Sequence, residues 1–263
     1  MSVYQRRLMN SFSHWRAPMN RYGIREVFRT GLCQLCLGII IMLFTLTVPP
    51  TRGQELPDDI LELSRQMVER EQAGDYSSAL LLAQKALTIA EDTMGQEASE
   101  VAIYSDYLGM VHLKAGHEQS AEELFLKALA IRENVLGTDH VAVAITLRHL
   151  AEMYRRSGEA EKAVTLLQRA LAIDERAFGV DHVVLATTLQ SLGLIYLNEG
   201  QYAEGEPVIL RALDIQDHVV GAFHPSMATT LEYYARLLRE TGRLDAAVQA
   251  ETRIKRIHSA GKK

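Results

Sequence analysis

The chain has 263 residues, 48% of them hydrophobic and 23% charged, a composition that excludes wholesale disorder and suits one or two ordinary domains. The formal charge of -5 is uneven: residues 1–53 hold seven arginines, no lysine and one acid, Glu26, whereas residues 54–263 hold 21 basic against 32 acidic residues, a balance of -11. So acidic a body is poor at neutralising phosphates, which argues against nucleic acid as a partner. With both cysteines (Cys33, Cys36) in the first part, the body also lacks thiol catalysis, disulfides and cysteine-ligated zinc.

In chain order, residues 1–53 come first. Between Arg29 and Arg52 run 22 uncharged residues. Their apolar heart, Leu32 to Val48, would form a helix of roughly 25 Å, a little short of a ~30 Å hydrocarbon core. Six arginines precede it, and Glu55, Asp58, Asp59 and Glu62 follow. The positive-inside rule then sends the body across a membrane. Two readings stay open, a signal peptide cut before Gln54 or a retained signal anchor, as does a start at Met1, Met9 or Met19. Either reading puts the body outside the cytoplasm. A cysteine-free body without Asn-x-Ser/Thr sequons points to a bacterial periplasm. Cys33-x-x-Cys36 has redox-motif spacing, but it lies inside the apolar run and is read as ordinary apolar filling.

Residues 54–263 repeat. Gly74, Gly116, Gly158, Gly200 and Gly242 recur every 42 residues, as do Gly95, Gly137, Gly179 and Gly221. The triplets Lys85-Ala86-Leu87, Lys127-Ala128-Leu129, Arg169-Ala170-Leu171 and Arg211-Ala212-Leu213 keep the phase, followed by Glu91, Glu133, Glu175 and Asp217. Repeats fix architecture before anything else does. The expected units are 54–95, 96–137, 138–179, 180–221 and 222–263, which leave no length for a separate catalytic domain. Each unit predicts two helices. In the third, Leu147, Leu150, Ala151 and Tyr154 form one buried stripe, with Asp139 as expected N-cap and Gly158 as left-handed stop. Ala163, Leu167, Ala170 and Leu171 form the second. Gln66, Arg70 and Glu251 replace apolar residues in the end units, as caps require. Gly205 and Pro207 predict a kink or a late helix start in the fourth unit.

The pattern Leu147-x-x-Leu150-Ala151-x-x-Tyr154, then Ala163, Leu167 and Ala170, resembles the tetratricopeptide repeat. Leu189, Leu192, Gly193, Tyr196, Ile209 and Ala212 repeat it. The 42-residue period and the phrases Gly137–His140 and Gly179–His182 resemble the kinesin-light-chain-like branch. The resemblance implies an all-α fold, a right-handed superhelical solenoid of about five helix pairs. It also implies that the first helix of each pair lines a concave surface that holds other proteins.

Catalytic and metal motifs are missing. His140, His182 and His224 recur at 42 residues and would lie roughly 10 Å apart at helix-packing distance, too far to share an ion bound at ~2 Å. No metal or cofactor is expected, and no Walker loop, dinucleotide loop or nucleophile elbow appears. Candidate partner-binding residues follow from removing the packing stripe: Tyr107; Arg148, His149, Glu152, Arg155 and Arg156; Gln190, Leu194 and Asn198; Tyr233, Arg236 and Arg239. Arginine forks beside aromatic faces suit an acidic or C-terminal peptide. The competing reading is a solvated face on which these arginines pair with Glu152, Glu232 and Glu240. The expected function is a non-catalytic interaction scaffold, exported or membrane-anchored. Alternatives are an accessory subunit of a membrane enzyme or secretion machine, an enzyme using His149, Glu152 and Tyr233, and self-association.

Overall fold

The computed structural model describes residues 58–260, apart from position 222. The arginine-rich start, the apolar stretch 32–48, both cysteines and Trp15 lie outside them. The described residues form ten α-helices and no strand. In order they are α1 (Asp58–Gln72), α2 (Tyr76–Met94), α3 (Ser99–Lys114), α4 (Glu118–Leu136), α5 (Val141–Arg156), α6 (Ala160–Phe178), α7 (Val183–Asn198), α8 (Tyr202–Val220), α9 (Met227–Glu240) and α10 (Leu244–Ala260). Each helix packs on the next, and the odd-numbered helices also touch one another along the stack. Among the described residues, no helix is long and apolar enough to cross a membrane.

Glycine sets the punctuation. Gly158 at φ +78° ends α5, where Glu159 N–H returns to the Tyr154 carbonyl at 2.8 Å; Gly137 at φ +88° ends α4. Side chains rarely adopt such a φ, which is why these glycines keep the repeat period. The helix starts differ from expectation at one point. His140, not Asp139, caps α5, because the helix begins one residue later; Asp139 instead accepts a two-pronged ion pair from Arg176.

Inside each pair the helices close by matching volumes. A Cβ on Gly109 would lie 2.8 Å from the Phe125 ring, and one on Gly193 would lie 2.6 Å from Ile209 Cγ1. The equivalent third-unit pair is Ala151 with Leu167, both buried. Gly205, awkward in sequence, has the same use: a Cβ there would meet Tyr196 Cβ at 3.2 Å. Nor does Pro207 delay its helix. α8 starts at Tyr202, in phase with its siblings, and Gly205 N–H bonds the Gln201 carbonyl ahead of the proline.

Val143, Ala144, Leu147, Ala170 and Ile173 cluster within the third unit and Leu185, Ala186, Leu189, Ala212 and Ile215 within the fourth, but the other clusters bridge units. Leu113, Ala121 and Phe125 from the second pair pack with Leu150 and Met153 from the third. Ala151, Ala163 and Leu167 pack with Leu192 and Ile195 from the fourth. Leu197, Ile209 and Leu213 pack with Met227, Leu231, Leu237 and Ile257 from the fifth. Fully burying each of the larger side chains among these contributes about 1.5–3 kcal/mol, so the second to fifth units depend in part on their neighbours. The outer face of α1 is instead charged: Arg65 bonds Glu62 and Glu69, and Gln66 bonds Glu62. Held by Arg65 first and Gln66 second, the Glu62 carboxyl falls to about 2.

Candidate functional site

Two polar series run through the stack. The first is the sequence's repeated acid and base. Glu91 pairs with Lys127, Glu133 with Arg169 (2.6 Å), Glu175 with Arg211 (2.6 Å) and Asp217 with Arg253 (2.9 Å). Each acid reaches the second helix of the following unit, so one ion pair recurs at all four joints.

The second series is buried. Asp106 on α3, Arg132 on α4 and Thr146 on α5 meet: Arg132 donates to Asp106, to Thr146 Oγ1 and to the Ala142 carbonyl, and Thr146 donates to Asp106. Burial pushes the Asp106 carboxyl up, but the Arg132 guanidinium and His149 outweigh it and hold it below the usual carboxylate range. One unit later the charges are exchanged, with Arg148 donating to Asp174 at 2.6 Å; Thr188 Oγ1 lies buried at the third place without a partner. Another unit on, the set is neutral. Gln190 donates to Thr230, Thr230 donates to Gln216 at 2.8 Å, and Gln216 donates to the Ser226 carbonyl at 3.1 Å.

The candidate binding residues fall into three groups. Tyr107 is a correction: with 2% of its surface exposed it lies in the core, and its hydroxyl donates to Glu71 at 2.7 Å. Burial first, then Glu71, pushes that phenol well above its usual range. The reason is register, since Tyr107 points back at α1 rather than outward. Arg148, Arg155 and Arg239 form the second group, held by Asp174, Glu152 and Glu251. Arg155 makes two bonds to Glu152, at 2.7 and 2.6 Å. Gln190 joins this group through Thr230. His149 sits beside them, its Nδ1 buried 3.4 Å from Asp106 Oδ1 and its ring 5.6 Å from that of Phe125.

The third group keeps an unneutralised charge or an open face. Arg156 donates to the Leu113 carbonyl (2.6 Å) and Arg236 to Asn198 Oδ1 (3.0 Å). Both are exposed, as are Glu152 and Asn198, while Leu194 and Tyr233 are half-buried. Of the carboxylates weighed as partners for the arginines, Glu152 alone serves; Asp174 and Glu251 come from the second helices of the pairs. The expected histidines prove to be helix-start residues, and among the described residues no group of three or more metal-ligating side chains converges.

The pairing within the two series went unseen in sequence for one reason. Bonded side chains in them lie 14 to 40 residues apart, and only the stacking brings them together.

These features define a class, the helix-pair repeat stack with a polar spine. The tetratricopeptide repeat model matches residues 99–176, 143–204 and 184–258, which together span more than half of the chain. The chain belongs to the tetratricopeptide repeat family. No curated protein matches. Solved structures of similar fold include the nearly identical repeats of a putative kinesin light chain from Podosopora anserina, at 21% identity and a TM-score of 0.67, covering 80% of this chain and 100% of that one. BtubC (BKLC) from P. vanneervenii matches at 19% identity and 0.69, covering 99% and 92%, and PilF of Pseudomonas aeruginosa at 18% and 0.56, covering 75% and 76%.

Proposed function

We propose that this chain is a non-catalytic scaffold that holds another protein on a concave surface lined by the first helices of its units. Its body works outside the cytoplasm, exported or anchored through residues 32–48. The observation that supports a groove for an acidic or C-terminal peptide is the pair Arg156 and Arg236. Both are exposed on first helices and bonded to neutral oxygens, so their charge remains available to a carboxylate. Arg148, Arg155 and Arg239 already have carboxylates and shape the surface rather than attract a ligand. The test uses the full chain on an array of C-terminal peptides that differ in acidic content. Arg156→Glu/Arg236→Glu should lose acidic-peptide binding at least tenfold, whereas Arg155→Glu should change it little. Equal binding by all three proteins would move the partner off this face.

The uncharged stretch 30–51 favours one second reading, an accessory subunit of a membrane complex. A fixed membrane partner that co-purifies at equal stoichiometry would select it over a general adaptor.

A further inference from the structure

At the start of three of the first helices, a histidine Nδ1 accepts from the backbone N–H two residues on, the histidine being the N-cap in two of them and lying two residues before it in the third. His140 and His182 are the N-caps of α5 and α7, and their Nδ1 atoms accept from the backbone N–H of Ala142 at 3.2 Å and Val184 at 3.3 Å. His224 Nδ1 accepts from Ser226 N–H at 3.3 Å, beside the Ser226 hydroxyl at 2.8 Å, and Ser226 is the N-cap of α9. The equivalent residue of the second unit is Ala98, which caps α3 without any side-chain bond. The molecule therefore contains three histidine-held joints and one internal control.

A ring nitrogen that accepts a hydrogen bond must keep its lone pair, so each of these rings carries its proton on Nε2. An imidazolium has no acceptor. It also sets a positive charge against the positive end of a helix dipole, so protonation costs the joint twice. We propose that His140, His182 and His224 form an acid-sensitive device that loosens the joints opening units three to five between neutral pH and about 5.5, while the joint at Ala98 holds.

The surroundings bear on each ring. His140 faces Arg132 from α4 and the Asp139–Arg176 pair reaching from α6. Burial and then Arg132 hold the His140 ring below its usual range. His182 stacks on Phe178 of α6 at 4.7 Å, next to Asp181, and feels Asp174, whose charge Arg148 takes up. Around His224, α8 supplies Gln216, which holds the Ser226 carbonyl. At the α5 joint, His149 Nδ1 also lies 3.4 Å from Asp106 Oδ1. The sign is fixed by the caps. Stability that depends on a neutral ring is fully present above the unfolded histidine range near 6.5 and is lost as pH falls through it.

The experiment is hydrogen exchange of the full chain at pH 7.5 and 5.5, read as protection relative to intrinsic exchange. The first turns of α5, α7 and α9 should lose protection roughly fivefold each, the usual worth of a cap, with α3 unchanged. The variant His140→Asn/His182→Asn/His224→Asn, whose amides cap without titrating, should keep its protection at pH 5.5. Equal loss in α3, or in the variant, would overturn the proposal. Should the variant fail to fold, nitrogen chemical shifts of the wild-type rings at pH 7.5 decide: three Nε2–H tautomers support the device, and Nδ1–H rings sink it.

Discussion

Between one helix pair and the next, the same acid meets the same kind of base four times, from Glu91–Lys127 to Asp217–Arg253. In the buried series the residues change at every step: Asp106 with Arg132, Arg148 with Asp174, and Gln190 with Gln216 through Thr230 of the next pair. The apolar contacts divide likewise. The intra-unit match runs Gly109 to Phe125, Ala151 to Leu167 and Gly193 to Ile209, a separate solution to one volume problem each time. The contrast teaches where specificity lies. Joints use a shared vocabulary because any unit's outer face must fit its neighbour. Interiors are free to drift as long as volume and charge stay balanced within the pair.

The contrast can be broken most sharply at Arg132. Arg132→Leu strands the buried Asp106 carboxylate and should cost about 3–5 kcal/mol in urea unfolding, whereas Gln216→Leu, at the same place two units on, should cost only about 1–2 kcal/mol. Acid titration sharpens the difference. Because the folded Asp106 carboxyl is held below its unfolded range, its contribution is present above about pH 4 and lost as pH falls toward the folded value. A Gln190→Ala variant should leave that acid limb unmoved; if it shifts the limb, the two interiors are coupled.

A smaller effect is expected from the volume match. Gly109→Ala should destabilise by about 1–3 kcal/mol through the Phe125 clash, and Gly109→Ala/Phe125→Leu, which copies the third unit, should recover most of it. Failure of the second change to rescue would mean that the close approach matters for its backbone and not for its volume. The smallest effect belongs to the shared ion pairs. Lys127→Met should change the unfolding free energy by less than about 1 kcal/mol, since both charges remain partly in water.

The fold was legible because glycines at a fixed period mark chain reversals and apolar residues at helical spacing mark one face. Chemistry at the joints was less so. Asp139 looked like the better cap by residue type, but whether the helix starts after 139 or 140 depends on a single turn of backbone, and Arg176 claims Asp139 from another helix. Arg155 pairs with Glu152, the partner that the solvated-face reading named three residues away, but nothing beside Arg148 in sequence says which carboxylate the fold delivers. Arg148 is matched by Asp174, 26 residues away. Tyr107 fell on the outward side of a helical wheel, yet a preceding helix covers it, and no single-helix pattern contains that helix.

The recurrence of the joint pair has an evolutionary consequence. A recombination event that removed residues 138–179 would lay the fourth unit on the second with Glu133 facing Arg211 and Thr188 entering where Thr146 stood. Acid would still meet base, hydroxyl would still meet the buried pair, and the privately matched interiors would be carried along whole. A gene of this design could lose or gain 42 codons in frame and keep this ion pair at the new seam, so the length of the array could vary while that pairing persists.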